Sequence, residues 1–213
     1  METINLFGAS GHAKVIKDII EAQGNKVGCL YDDNPHCDDI HGHPVYSPSG
    51  INVEGPMIIS IGSNKVRKLI SERYGCEYAK AIHPNAIISP SAVIGIGSVV
   101  MHGAIVQSDA TIGCHCIVNT GASVDHECRI EDYVHISPHA TLCGNVHVGE
   151  GSWIGAGATV IQGIRIGKWC TVGAGATVIR DIPDNTIVAG TPAKEIKFIH
   201  NMQNNNMLGG GNP

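Results

Sequence analysis

The stretch SVDHECRIEDYVHIS (123–137) sets two histidines, His126 and His135, nine positions apart, with Asp125 and Glu127 flanking the first. An imidazole titrates close to neutral pH, so it can take a proton from an amine or hydroxyl as that group attacks a carbonyl. A carboxylate beside the ring orients it and raises its basicity. The same side chains could instead bind a metal, or stand as surface histidines on a scaffold. Consecutive strand residues face opposite ways, so Glu127 reaches His126 only where that alternation breaks, and Asp125 competes for the role. The backbone that positions them decides.

That backbone is a repeat. From Ile82 to Val178 an aliphatic residue recurs every six positions, seventeen times without an insertion. Four positions after each comes a small or β-branched residue, as at Ala104, Ala110, Cys116 and Ala122, and glycine often follows the aliphatic one, as in Ile94-Gly95 and Val148-Gly149. Period six fits neither a helix nor an isolated strand. It fits a triangular coil with six residues to a side, one branched side chain pointing to the axis and a small residue beneath each corner. Such coils stack in parallel about 4.8 Å apart, and residues 82–182 make about five and a half of them. His126 then lies on a corner and projects outward, and His135 lies half a coil further on, where it cannot stack on His126 in the same chain. Gly144, eighteen residues after His126, falls one coil above it, where a bare backbone N–H can meet an oxyanion. Ala156 and Ala174 fall on one line along the axis, and their small side chains leave a groove.

The first eighty residues follow other rules. TINLFGA (3–9), KVGCLYDD (26–33) and PMIISIGSN (56–64) read as strands, and AKVIKDIIEA (13–22) and KVRKLISERY (65–74) as helices, a small parallel βαβ unit. Its loops gather at the carboxyl ends of the strands. There the Gly8-Ala9-Ser10-Gly11-His12 turn can meet phosphate with backbone amides, and Asp32 and Asp33 can bond ribose hydroxyls or a base edge. The turn is not GxGxxG, which argues against a dinucleotide.

Composition excludes other classes. A net charge of −5 without a basic stripe argues against nucleic acid as a partner. The opening METINLFGAS has no signal-peptide pattern and no apolar run approaches a membrane span, so a cytoplasmic protein without membrane insertion is expected. The eight cysteines show no CxxC pair, and Cys116, Cys128 and Cys170 fall in the small-residue register as small hydrophobes. The polar tail 201–213 is expected to be disordered.

The repeat over 82–182 resembles the hexapeptide-repeat acyltransferases. FGASGHAKVIKD, LYDD, SIGSNKVR and the closing VAGTPAKEIK (188–197) are similar to bacterial sugar acetyltransferases of the sialic acid O-acetyltransferase family, which includes N-acetyltransferases of UDP-linked 4-amino sugars such as UDP-N-acetylbacillosamine N-acetyltransferase. The resemblance implies an α/β Rossmann-like unit (1–80), a left-handed parallel β-helix (81–190) and a C-terminal extension (191–213). It also implies a homotrimer that binds acetyl-CoA between neighbouring β-helices. The family's HEC motif matches His126-Glu127-Cys128 and makes His126 the general base with Glu127 as its partner. It places the sugar nucleotide at Ser10, Gly11, His12, Asp32, Asp33 and Gly62, and acetyl-CoA at His135, Gly144, Ala156 and Ala174, with Lys194 near its phosphates. The expected activity is N-acetylation of a nucleotide-linked amino sugar, without a metal. O-acetylation of sialic acid or another sugar hydroxyl is the nearest alternative. A metal-dependent carbonic-anhydrase type would need His115, His126, His135, His139 or His147 to converge from two chains, and leaves the first domain unexplained. A non-catalytic sensor of nucleotide sugars would share the fold.

Overall fold

The computed structural model describes residues 1–48 and 55–196. The first unit runs β1 (Thr3–Phe7), α1 (Gly11–Ala22), β2 (Lys26–Tyr31), β3 (Asp39–Ile40), β4 (His43–Tyr46), β5 (Met57–Ile59) and α2 (Asn64–Arg73). Its sheet has the order β3-β4-β2-β1-β5. β1 pairs in parallel with β2 and β5, β4 adds in parallel to β2, and β3 closes the edge antiparallel. The spacing of Ile16, Ile19 and Ile20 gives α1 one apolar face, which is buried on Ile4, Leu6 and Leu30 of the sheet. Sequence periodicity did not anticipate β3 and β4, because a four-residue run with Pro44 inside it carries no strand pattern and is tolerated only at a sheet edge.

From Ala81–Ile82 onward the chain forms two-residue strands that stack into three parallel sheets of six, five and eight strands, a parallel β-helix. The register is eighteen residues: Ser123 pairs Thr141, Arg129 pairs His147 and His135 pairs Trp153. Val106, Val124, Leu142 and Val160 fill the axis, and Ala104, Ala122, Ala140 and Ala158 are fully buried beneath one set of corners. The eight-stranded sheet ends with Lys194–Glu195, antiparallel on Ile187–Ala189. The rest of the C-terminal extension, including the tail expected to be disordered, lies outside the described residues.

From Ile94 to Val172 each corner turns on one residue with positive φ, three places after the axial aliphatic, beginning with Gly97, Gly103, Asp109, His115, Gly121, Glu127, Tyr133 and His139 in succession. Glycine adopts this conformation freely and other residues resist it, so coil stacking imposes it on the rest. The glycine directly after the axial residue has another role. A Cβ on Gly95 would stand 2.5 Å from the Gly113 backbone, so there the coils themselves touch.

The first unit docks on the sheet that carries Ala81, Val99, Ile117 and His135, where its core merges with theirs. One cation holds this seam. Arg67 is 1% exposed, and its five N–H groups all have acceptors. Nε donates to His115 O (2.8 Å), Nη1 to Ile61 O (3.0 Å) and Gly62 O (3.1 Å), and Nη2 to Tyr133 O (2.8 Å) and Asn64 Oδ1 (2.9 Å). Asn64 Nδ2 donates in turn to Gly151 O and Ser152 O. His115, Tyr133 and Gly151 are stacked corners of a single edge, so Arg67 and Asn64 grip three successive coils by their main chain. Lys68 adds a hydrogen bond to Glu150 and lies over the Tyr133 and Trp169 rings.

The seam also holds neutral imidazoles. Burial, and then the Arg67 charge, push His12 down to about 4 and His115 down to about 4. Burial, Arg67 and His12 push His135 down to about 3. His115 packs flat on Tyr133 and edge-on to Tyr78.

Two outcomes follow. Arg67→Met leaves carbonyls of the seam buried without a donor, at about 1–3 kcal/mol for each such group. The thermal midpoint should fall by about 10 °C or more in a melting curve. The histidines predict a pH dependence: their folded pKa values lie below the unfolded value, so the unfolded chain binds more protons in acid. Stability is complete above about pH 6.5 and is lost as pH falls toward 4. His115→Phe keeps the ring contacts and should flatten that slope in melts between pH 7 and 4.

Candidate active site

His126 follows the strand Ser123–Val124 and stands at a corner with its side chain 57% exposed. The next residue, Glu127, is the positive-φ residue of that corner (φ 59°). The turn breaks strand alternation and swings the Glu127 carboxylate back, placing Oε2 3.2 Å from His126 Nδ1. Asp125 is occupied elsewhere, because its Oδ1 accepts the His126 backbone N–H at 2.8 Å. With Nδ1 facing Glu127, Nε2 is the ring nitrogen left for another partner.

Gly144 covers that side. A Cβ built on it would stand 2.6 Å from Nε2 and 2.5 Å from Cε1 of His126. The two coils are linked here by the Asn145 N–H donating to His126 O. Asp125, His126, Cys143, Gly144, Asn145, Gln162 and Gly163 line a cleft of about 460 Å³, open to solvent.

The other residues singled out in the sequence fall into two further groups. Ala156 and Ala174 are exposed on a different edge of the prism, one above the other, joined by the Gly175 N–H donating to Ala156 O. Lys194 is exposed on the closing strand. His135 is on the sheet that faces the first unit and is 7% exposed, stacked on Trp153 with ring centroids 5.4 Å apart. One chain therefore does not bring His126 together with His135, Ala156 and Ala174.

At the carboxyl ends of the first unit's strands, Ser10 is the N-cap residue of α1. Its hydroxyl makes no capping bond and it is exposed, as is Gly11. Among the described residues, His12 has its Nε2 buried without a partner. Asp32 is spent on the loop itself: Oδ2 accepts the Ala9 N–H (2.7 Å) and Oδ1 the Asn34 N–H (2.9 Å). It shapes the Gly8–His12 turn. Asp33 pairs with Arg73 at 2.7 Å, both half exposed. Gly62 sits in the loop before α2, with its carbonyl on Arg67 and open space where a side chain would be. Among the described residues no group of three or more His, Cys, Asp or Glu side chains could hold a metal ion, and no helix is long and apolar enough to cross a membrane.

Sequence reasoning passed over Arg67, Asn64, Asn119 and Trp153. Asn64 and Arg67 sit at i and i+3 of a helix, where polar residues read as a solvated face. Their burial depends on the docked coils, and no local pattern carries that.

Residues 3–74 match the family described as the PglD N-terminal domain, and residues 145–180 match the bacterial transferase hexapeptide (six repeats). Over 113 residues the chain is 44% identical to UDP-N-acetylbacillosamine N-acetyltransferase of Bacillus subtilis (strain 168), a match that spans 47% of this chain and about half (52%) of that protein. Among solved structures it resembles a single-residue variant of perosamine N-acetyltransferase from Caulobacter crescentus, in complex with CoA and GDP-perosamine. Identity is 35%, with 93% of this chain and 98% of that one covered and a TM-score of 0.87. It also resembles the acetyltransferase domain of PglB from Neisseria gonorrhoeae FA1090 in complex with acetyl coenzyme A, at 39% identity, 92% and 99% coverage and a TM-score of 0.86. With both halves of the fold matched, and near full-length likeness above 30% identity, the chain belongs to the hexapeptide-repeat acetyltransferases that carry a PglD N-terminal domain.

Proposed function

We propose that the protein transfers the acetyl group of acetyl-CoA to the amine of a nucleotide-linked amino sugar. The observation that carries this reading is the corner at His126: Nδ1 faces Glu127, Nε2 opens on a cleft, and the backbone of Gly144 passes directly over the ring. Relatives with the same two-part fold bind CoA together with GDP-perosamine, which supports a sugar nucleotide as the acceptor and acetyl-CoA as the donor.

In the proposed reaction the amine nitrogen attacks the thioester carbonyl carbon. A C–N bond forms, the carbonyl π electrons move to oxygen, and His126 Nε2 takes the ammonium proton. Glu127 holds the ring with Nδ1–H outward and stabilises the imidazolium that forms. The Gly144 N–H, which has no acceptor among the described residues, is suited to meet the oxyanion. Collapse re-forms the carbonyl, breaks the C–S bond and releases CoA thiolate, which recovers the proton from His126. No covalent acyl-enzyme is needed for this sequence of steps.

Of the residues expected at the donor, Gly144 lies over His126, but Ala156 and Ala174 lie on a different edge and His135 on the docked face, so the complete site is assigned to the cleft between copies of the chain in a homotrimer. The His126 corner of one copy would face Ala156, Ala174 and His135 of the next. Ser10, His12 and Gly62 are assigned to the sugar nucleotide.

The test is acetyl transfer from acetyl-CoA to a panel of UDP-, GDP-, dTDP- and CMP-linked sugars, read by mass spectrometry. An acetylated amino sugar is the expected product. Acetylation confined to a hydroxyl would redirect the chemistry, and no product from folded trimer would remove the reading. His126→Ala should lower kcat by about 10²–10⁴-fold at an unchanged thermal midpoint. Gly144→Ala drives a methyl against Nε2 of the base, and a loss of about 10²-fold is expected. A crystal structure should show the ring displaced.

A further inference from the structure

The geometry points to Gln162 as the residue that sets the donor in register. Its side-chain amide pairs with the first amide of the pantetheine arm, so that the thioester carbonyl comes to rest beside the Gly144 N–H. This rests on the acetyl-CoA reading above.

Gln162 is placed by the register that sets Gly144 over His126. It lies eighteen residues beyond Gly144, and the Gly163 N–H donates to Gly144 O at 3.0 Å, which joins the two corners one coil apart. His126, Gly144 and Gln162 thus climb one edge of the prism and line one cleft of about 460 Å³. Gln162 is exposed, and its side chain makes no hydrogen bond among the described residues. A Cβ on the adjoining Gly163 would meet nothing within 4 Å, so the outer face of this corner is clear. Of the other polar groups there, Asp125 and Asn145 stand level with His126 and Gly144, two coils and one coil too low.

Length decides what Gln162 can meet. With the thioester oxygen at the Gly144 N–H, four bonds lead from the carbonyl carbon through sulfur and two methylenes to the first pantetheine nitrogen. Extended, they span about 5 Å. Coils are spaced ~4.8 Å apart, so that amide arrives level with Gln162. The opposite direction along the same edge is filled by the His126 ring and the Glu127 carboxylate. A primary amide donates through nitrogen and accepts through oxygen, and the pantetheine amide needs one of each. The facing wall agrees. Rotation about an axis parallel to the coils keeps every residue at its own height, and in residue count Gln162 falls between Ala156 and Ala174. Those two exposed side chains are methyls, which offer contact but no hydrogen bond. The side-chain hydrogen bond to the arm therefore comes from Gln162.

The test compares Gln162→Ala with the unaltered protein on three donors, at saturating concentration of the sugar nucleotide that the panel above identifies. The donors are acetyl-CoA, the acetyl thioester of N-acetylcysteamine, which ends at the first amide, and S-pentyl thioacetate, which has no amide. Loss of one neutral hydrogen bond should lower kcat/KM about 3- to 10-fold on the first two donors and leave S-pentyl thioacetate unchanged. KM for the sugar nucleotide, the thermal midpoint and the oligomer seen by light scattering should not move. An equal loss on all three donors, or no loss on the first two, overturns the assignment. Calorimetric titration of CoA alone into both proteins separates this residue from the broader reading. A Kd weaker by about 3- to 10-fold in Gln162→Ala is expected. Equal CoA affinity in the two proteins would remove Gln162 and leave acetyl transfer standing. No CoA binding by the unaltered protein would remove both.

Discussion

The buried guanidinium of Arg67 fixes everything else in place. Without a carboxylate, it is satisfied by one side-chain amide oxygen and four main-chain carbonyls. Arginine suits the position because five donors in a rigid fork can be distributed among carbonyls that lie in different directions. Two of those carbonyls come from the loop before α2 and two from corners of the β-helix, so one ion sets the distance and the angle between the two halves. Its charge also keeps the surrounding imidazoles neutral, and neutral rings can serve as fixed donors and acceptors. A carboxylate at the seam would have stabilised the ion and, by the same field, encouraged those histidines to protonate.

The two halves illustrate different sources of order. The first unit buries a conventional core of isoleucines and leucines between a sheet and one apolar helix face. The β-helix has a core of another shape, three aliphatic side chains per coil stacked into a narrow column along the axis and closed by alanines and cysteines beneath the corners. Its stability is additive along the axis, each coil resting on the next through parallel hydrogen bonds. Joining the two sets a rigid, repetitive surface that carries the His126 corner beside loops of the first unit that are free of the coil's spacing constraint.

How much of this was legible in the sequence depended on range. The period of six revealed the axis, the buried small residues and the eighteen-residue register, which placed Gly144 over His126. The corner conformation was the missing element. From Ile94 to Val172 positive φ recurs three places after the axial residue, yet the pattern is obscured because Asp109, His115, Glu127, Tyr133 and His139 occupy it in place of glycine. At Glu127 that conformation settles which carboxylate faces the His126 ring, something strand alternation left open between Asp125 and Glu127. Asp32 failed to show its hand for the opposite reason: an acid at the end of a strand looks the same whether it awaits a ribose or ties its own loop to Ala9. Arg67 and Asn119 were invisible because their partners are carbonyls and a ring nitrogen brought in by distant coils.

The strict register also limits how such a chain can change its length over evolution. Residue identity here encodes a face and a corner, and the code repeats only after a full coil, as the Ser123 to Thr141 pairing shows. Loss of six residues below Ser123 would keep every aliphatic side chain on the axis and the stack intact. It would nonetheless turn His126 onto the next edge of the prism, a third of a turn from where it stands relative to the first unit. Stable but inert proteins are thus one short deletion away. Lineages that lengthen or shorten the stack between anchor and reaction centre must do so by whole coils, or bulge the extra residues out at a corner.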